Sequence, residues 1–223
     1  MNTRVLVTGF EPFDRDVVNP SWEVARAVDG WRIELPEGRV AEVSAAQLPC
    51  VFGRAIEVLD EALARWRPDL VIALGLAGGR SDITPERVAV NLDDARIPDN
   101  AGQRPIDEPA LSGAPTAYFT TLPIKAMVRD LRAAGLPAAV SHTAGSFVCN
   151  HLFFGLMHRL ATSPALARTR GGFVHLPSLP EQAARQPGQP SMALADQLRG
   201  VRQLVMTALA VPTDIRETGG QLH

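Results

Sequence analysis

The most informative part of the sequence is Val140-Ser141-His142-Thr143-Ala144-Gly145-Ser146-Phe147-Val148-Cys149-Asn150-His151, around which the other segments are arranged. A short apolar run at 138–140 predicts a strand, and Ala144-Gly145 predicts a tight turn after it. Apolar residues then recur every three or four positions over 152–160, which predicts a helix. Ser146 is a candidate N-cap, and it would place Cys149 in the first helical turn.

A cysteine in the first turn of a helix has an unusual electrostatic environment. Unpaired backbone N–H groups and the helix dipole favour an anion there. The pKa of the Cys149 thiol is therefore expected to be lowered, so that the thiol is partly ionised near neutral pH. This position predicts a nucleophile. The alternative, which the stretch alone leaves open, is a buried cysteine that fills a small apolar gap.

The composition is that of an ordinary soluble globular protein. The 223 residues are 46% hydrophobic and 21% charged, with a formal net charge of -2. No basic surface indicates nucleic acid or an anionic membrane, no apolar run could span a bilayer, and no signal peptide is expected. The two cysteines, Cys50 and Cys149, lack metal-type or disulfide-framework spacing. Reduced thiols, a cytoplasmic location and the absence of a metal or cofactor are expected.

Apolar strand-like runs alternate with amphipathic helical runs along the chain. Strand-like runs lie at 5–7, 40–48, 70–74, 87–92, 138–140 and 173–176, and helical runs at 22–28, 55–66, 122–134, after residue 146, and at 192–209. This alternation predicts one α/β domain over 1–223, an α/β/α sandwich whose mostly parallel sheet is covered by helices on both faces. Residues 94–115, rich in Pro, Gly and Asp, are expected to leave the sheet, and the tail after about 212 to be frayed.

A cysteine nucleophile needs a base, and sites in parallel sheets form at the carboxyl ends of the strands. Of the five histidines, His175 ends an apolar strand at that edge and is favoured over His142, which could be a satisfied core residue. His151 lies about 200° round the helix from Cys149 and cannot face the same site. The remaining two are in the tail and on the body of the helix.

The base in turn needs an orienting group on another strand end. Glu86 precedes an apolar run and is a candidate, although a surface ion pair with Arg87 would explain it equally well. The loop Gly75-Leu76-Ala77-Gly78-Gly79-Arg80 has neither the GxGxxG spacing nor the Walker lysine of phosphate-binding loops. Nucleotide binding is therefore a weak alternative.

Several long segments together resemble the pyroglutamyl peptidase I family (pyrrolidone carboxyl peptidases) of cysteine peptidases. The similarity covers about residues 5–182, and its motifs are long and specific. The segments that carry it include Val7-Thr8-Gly9-Phe10-Glu11-Pro12-Phe13, Ile83-Thr84-Pro85-Glu86-Arg87-Val88-Ala89, Asp94-Ala95-Arg96-Ile97-Pro98-Asp99-Asn100, Thr143-Ala144-Gly145-Ser146-Phe147-Val148-Cys149-Asn150 and Gly172-Phe173-Val174-His175-Leu176-Pro177.

The resemblance implies a cofactor-independent exopeptidase that removes an N-terminal pyroglutamyl residue from peptides. It assigns Cys149 as nucleophile, His175 as base and acid, and Glu86 as orienter. It further implies oxyanion support from Arg96 and substrate binding by Phe10, Phe13 and Val148, where ordinary core packing is the alternative for the phenylalanines. A cytoplasmic homotetramer is implied as well.

Two residues depart from the family pattern. Leu76 stands where many bacterial members have Gln, and Cys50 stands where relatives often carry Thr or Val. The first departure leaves open a thiol amidase acting on another small lactam. A non-catalytic binding module for pyroglutamyl peptides is a third hypothesis, although a binder has no need of all three catalytic residues. Two roles are open for residues 94–115, as a gate over the site or as part of the oligomer interface.

Overall fold

A computed structural model describes residues 2–220, and its largest feature is a mostly parallel sheet. In the described range the strands are β1 (Thr3–Phe10), β2 (Arg32–Glu34), β3 (Val40–Leu48), β4 (Leu70–Leu76), β5 (Thr84–Pro85), β6 (Val88–Val90), β7 (Ala117–Phe119) and β8 (Arg170–Leu176). The main sheet has the order β2-β3-β1-β4-β8-β5. Strands β3, β1, β4 and β8 are parallel, and the edge strands β2 and β5 are antiparallel to their neighbours.

Helices connect the strands and cover the sheet. They are α1 (Pro20–Ala27), α2 (Arg54–Trp66), α3 (Ile124–Ala133), α4 (Val148–Thr162), α5 (Pro180–Ala183) and α6 (Leu194–Ala210), with short 3-10 turns at Pro36–Gly38 and Pro164–Leu166. In the range that the structure describes, none of the helices has the length and apolar character needed to cross a membrane.

Each face of the sheet has its own hydrophobic core, because successive side chains of a strand point to opposite faces. Ile72 and Leu74 of β4 pack with residues of α1, α3 and α6, whereas Val71 and Ala73 pack with residues of α2 and α4. Burial of a large apolar side chain contributes roughly 1.5–3 kcal/mol, so both faces stabilise the sheet. The predicted α/β fold, with helices on both faces, is confirmed.

Two local predictions around the cysteine stretch are wrong. Residues 138–141 form no strand, only isolated parallel bridges from Ala138 to Ile83 and from Ser141 to Glu86, because Pro85 beside them has no N–H for a continuous ladder. The N-cap of α4 is Phe147 rather than Ser146. The Ser146 hydroxyl instead donates to the carbonyl oxygen of Asp94 at 2.8 Å. Cys149, the second residue of α4, still lies in the first helical turn as predicted.

The segment after α6 is irregular, and Asp214 and Gly219 within it make hydrogen bonds to the rest of the fold. The Asp214 carboxylate accepts hydrogen bonds from the backbone N–H groups of Lys125 and Ala126 at 3.1 and 3.0 Å. It thereby caps α3, whose own N-cap residue makes no side-chain hydrogen bond. Further on, the Gly219 carbonyl oxygen accepts from the Arg87 guanidinium at 3.1 Å. The last three residues of the predicted frayed tail, 221–223, lie outside the described residues.

Candidate active site

A buried histidine–carboxylate pair lies at the carboxyl edge of the sheet. The Nδ1 atom of His175 is 2.7 Å from Oε1 of Glu86, and the two side chains are 5% and 0% exposed. Backbone pairing fixes this geometry, because Glu86 directly follows β5 and its N–H donates to the Phe173 carbonyl oxygen at 2.9 Å. An ionised carboxylate can only accept, so Nδ1 carries the proton and Nε2 is left available as a base.

The Cys149 sulfur lies over the same face of the sheet. Gly75 of β4 is the register partner of His175 in β8, and paired residues of neighbouring strands point to the same face. A Cβ atom at Gly75 would lie 3.0 Å from the Cys149 sulfur and 2.6 Å from the Phe173 ring. The absence of a side chain at Gly75 therefore makes room for the thiol beside His175.

Arg80 belongs to this cluster, although sequence reasoning considered it only as part of a glycine loop. Its guanidinium donates to Glu86 Oε1 and to Thr84 Oγ1, each at 2.7 Å, and to the Thr143 carbonyl oxygen at 3.0 Å. The one signal for it in the sequence was its place in the loop after β4, at the edge where sites form. Its partners lie on other segments, which no local pattern reveals.

Burial and neighbouring charges have opposite effects on the pKa of the Glu86 carboxyl group. Burial alone would raise the pKa of its carboxyl group, but the hydrogen bond and charge of His175 together with the charge of Arg80 hold the pKa below the ordinary value of 4.5. Glu86 is therefore ionised at neutral pH.

The free Cys149 thiol is neutral, contrary to the expectation from the helix start. Burial, followed by the negative charge of Glu86, raises the pKa of Cys149 to about 12, although Arg80 acts to lower it. Burial is therefore the largest influence on the pKa of this thiol. A thiolate at this position therefore needs an acceptor for its proton.

Aromatic side chains cluster on this face of the sheet. Phe10 is 2% exposed, and its ring centroid lies 6.4 Å from that of Phe173, so its side chain is part of the α2–α4 core. Phe13 is half-buried and lies 6.1 Å from Phe147, which makes an edge contact with Phe52 at 5.4 Å. Phe147 and Phe52 were not among the predicted site residues.

Two further predicted residues have quite different surroundings. Val148 begins α4 and is fully buried in the core, so only its backbone can face a ligand. Arg96 is exposed, and between residues 2 and 220 its side chain makes no hydrogen bond or ion pair. The structure does not join Arg96 to the cluster of Cys149, His175 and Glu86.

A second buried histidine pair holds the loops around the site. The Nδ1 atom of His151 is 2.7 Å from Oδ2 of Asp93, and its Nε2 atom accepts the Gly53 N–H at 2.9 Å. Both ring nitrogens are therefore used. His142 also has a hydrogen-bond partner, since its Nε2 atom lies 3.1 Å from the Gly219 carbonyl oxygen.

Cys50 is buried in the loop that follows β3. Its N–H donates to Glu11 Oε1 at 3.1 Å, and burial, followed by the charge of Cys149, raises the pKa of its thiol. Both cysteines are unpaired. Leu76, the other departure from the family pattern, is the half-buried last residue of β4.

These features define a class of protein. A cysteine at a helix start, a histidine with one free ring nitrogen and a buried carboxylate are the residue types from which nucleophile–base–orienter triads are built. They lie at the carboxyl edge of a parallel sheet, where α/β enzymes have their sites. Within the described range, no group of three or more His, Cys, Asp or Glu side chains is placed to hold a metal ion. The fold and the site are those of a cysteine hydrolase.

Comparison with known proteins identifies the family. The model of the family described as pyroglutamyl peptidase matches residues 3–211. The pyrrolidone-carboxylate peptidase of Cupriavidus taiwanensis is 61% identical over 98% of this chain and 99% of its own length, and that of Bacillus cytotoxicus is 52% identical over the same shares. The crystal structure of pyroglutamyl peptidase I from Bacillus amyloliquefaciens is 44% identical, with a TM-score of 0.91 over 98% of this chain and 100% of that one.

The chain belongs to the pyroglutamyl peptidase family. The family predicted from the sequence motifs is thereby confirmed, together with the class of hydrolase and cysteine peptidase.

Proposed function

We propose that the chain removes an N-terminal pyroglutamyl residue from peptides, with Cys149 as nucleophile, His175 as base and acid, and Glu86 as orienter. The observation that carries this proposal is the buried Glu86–His175 pair at 2.7 Å, with the Cys149 sulfur on the same face at Gly75. The names of the relatives, pyrrolidone-carboxylate peptidases, support the choice of substrate.

Acylation begins with proton transfer, because the free thiol is neutral. His175 Nε2 takes the proton of Cys149, and the thiolate attacks the carbonyl carbon that joins pyroglutamate to the next residue. The imidazolium that forms is stabilised by the Glu86 carboxylate on Nδ1. His175 then gives the proton to the leaving amine, the C–N bond breaks, and a thioester on Cys149 remains.

Deacylation reverses the roles. His175 takes a proton from a water molecule, which attacks the thioester carbonyl, and the C–S bond breaks as pyroglutamate leaves. The proton returns to the Cys149 sulfur, so the enzyme is restored without any cofactor. The N–H groups in the first turn of α4, which have no partner within the helix, are candidate donors to the oxyanion that develops in both steps. Arg96 is a candidate second donor, because its exposed guanidinium has no fixed partner within residues 2–220.

Recognition of the lactam rests on apolar contact. Pyroglutamate is a small uncharged ring with one N–H and one carbonyl group, which suits aromatic walls with a few backbone partners. Phe13 is partly exposed at the rim and is backed by Phe147, whereas the buried Phe10 supports the wall from the core. The backbone of Val148 is the remaining candidate contact.

The compartment and the assembly are part of the same proposal. Two unpaired cysteines, Cys50 and Cys149, support a reducing cytoplasmic location. A homotetramer is proposed from the family resemblance, and the large exposed apolar side chains of Ile106 and Phe119 support self-association. Light scattering on the purified protein would give the mass of the assembly, and a monomer would contradict this part.

The deciding experiment is hydrolysis of a chromogenic pyroglutamyl amide under reducing conditions. The wild type and Cys149→Ala are compared, with the matching prolyl amide as control substrate. Turnover of the lactam alone, lost in Cys149→Ala, is the expected result. A folded wild type that cleaves neither amide would contradict the proposed function.

A further inference from the structure

We infer that Arg80 is a positioning residue of this site, which shares the Glu86 carboxylate with His175 and so keeps Cys149 and His175 reactive at neutral pH. The inference rests on the proposed function, because it assigns Arg80 a task within the proposed triad. It follows from the geometry of one carboxylate with two partners.

The two partners of Glu86 contact the same oxygen. Arg80 and His175 Nδ1 each lie 2.7 Å from Oε1, whereas Oε2 is buried and has no hydrogen bond to any described residue. The single negative charge of a fully buried side chain is thus divided between a permanent cation and an imidazole. The presence of Arg80 therefore limits how strongly Glu86 attracts a proton onto His175.

The same guanidinium also connects the segments that carry the site. It bonds Thr84 and Glu86 around β5 and the Thr143 carbonyl oxygen at the start of the loop to Cys149. Three acceptors in a fixed arrangement suit the planar fork of arginine, and a lysine ammonium cannot match it. Loss of Arg80 would therefore change both the position and the charge of the site.

The sign of the charge effect follows from the groups that face the thiol. These are Glu86, Arg80, His175 and the neutral thiol of Cys50. Glu86 raises the pKa of Cys149 and Arg80 lowers it. Without Arg80 the thiolate becomes harder to form, and the imidazolium becomes easier to form because Glu86 is no longer shared. Both changes move the onset of reactivity to higher pH.

A purely structural role of Arg80 would change different measured quantities. If Arg80 only anchored the loop, its loss would lower the melting temperature and the rate at every pH by a similar factor. The pH at which the reaction begins would stay where it is in the wild type.

The test is the pH dependence of Cys149 alkylation by iodoacetamide, followed by mass spectrometry so that Cys50 is monitored separately in the same sample. Arg80→Gln and Arg80→Met remove the charge with a polar and an apolar side chain, so a folded variant is available even if one fails. Arg80→Lys keeps the charge. Arg159→Gln is the matched control, because Arg159 is 29% exposed against 30% for Arg80 and also pairs with one carboxylate, that of Asp60.

In Arg80→Gln or Arg80→Met we expect the midpoint of Cys149 alkylation to rise by about one pH unit, a value at the low end for an opposite charge because Arg80 is partly exposed. The acid limb of kcat/KM should move in the same direction. The midpoint of Cys149 alkylation should shift less in Arg80→Lys than in either uncharged variant, and it should not shift in Arg159→Gln. The inference would be overturned if a folded, uncharged variant kept the wild-type midpoint. It would also be overturned if the midpoint shifted equally in Arg80→Lys and Arg80→Gln.

The two proposals fail in different ways. Absence of turnover by the wild type would contradict the proposed function, whereas the alkylation profile still reports whether Arg80 controls the thiol.

Discussion

The Nδ1 atom of His175 and the Oε1 atom of Glu86 lie 2.7 Å apart, although 89 positions separate the two residues in the chain. Antiparallel pairing of the short strand β5 with β8 brings them together. Because both side chains are nearly inaccessible to solvent, water cannot replace either partner. The orientation of the His175 ring is therefore fixed before a substrate arrives.

Replacing the carboxylate should abolish this orientation without changing the size of the side chain. In Glu86→Gln an amide replaces the acceptor and presents either an oxygen or an NH2 group to His175, so the tautomer with a free Nε2 is no longer enforced. We expect kcat/KM for the pyroglutamyl amide to fall by about 10²- to 10⁴-fold. Glu57→Gln, at an exposed residue paired with Arg54, is the control and should be unaffected. A fall in kcat/KM of less than about threefold in Glu86→Gln would contradict the role of Glu86.

The same carboxylate should make stability depend on pH. The pKa of Glu86 in the folded protein lies below its ordinary value of 4.5. Its contribution to the free energy of unfolding is therefore fully present above pH 4.5 and is lost as the pH falls through the lower folded-state value. The difference in melting temperature between the wild type and Glu86→Gln should shrink from about pH 6 to about pH 3. A difference that stays constant over this range would refute the assignment.

The sequence predicted most of the fold because the signals are local. A continuous apolar run predicts β4, and three- and four-residue spacing predicts α4; both lie where expected. The Ser146 N-cap failed because the hydroxyl bonds to Asp94, 52 positions away. Arg80 was missed for a similar reason, since Thr143 lies 63 positions along the chain. Contacts of this kind depend on which loops the fold brings together, and no periodicity encodes them.

The space above Gly75 should be essential for the thiol. A Cβ atom there would lie 2.6 Å from the Phe173 ring and 3.0 Å from the Cys149 sulfur, so Gly75→Ala must displace one of them. Overpacking of this kind costs about 1–3 kcal/mol. We expect a fall in kcat of at least about tenfold, since a displacement of the reacting atoms near 1 Å can cost much more.

Gly220→Ala is the matched control for this substitution. Nothing lies within 4 Å of a Cβ atom at Gly220, so kinetics and melting temperature should both stay at wild-type values. Unchanged kcat in a folded Gly75→Ala protein would show that the sulfur reacts from another position.

The buried pair of His151 and Asp93 should matter for stability rather than for chemistry. In His151→Ala the Asp93 carboxylate, whose Oδ1 atom already has no hydrogen bond within the described residues, would lose its bond to Nδ1, and the Gly53 N–H would lose its acceptor. Leaving a buried carboxylate oxygen without its partner costs about 3 kcal/mol, the upper end for an unsatisfied buried acceptor, and this loss is measurable as a lower free energy of unfolding in urea. His158→Ala is the matched control on the same helix: its half-buried ring bonds to the Tyr118 hydroxyl at 2.9 Å, and its loss should cost about 1 kcal/mol. Equal losses in the two variants would mean that the Asp93–His151–Gly53 connection does not hold these loops to α4.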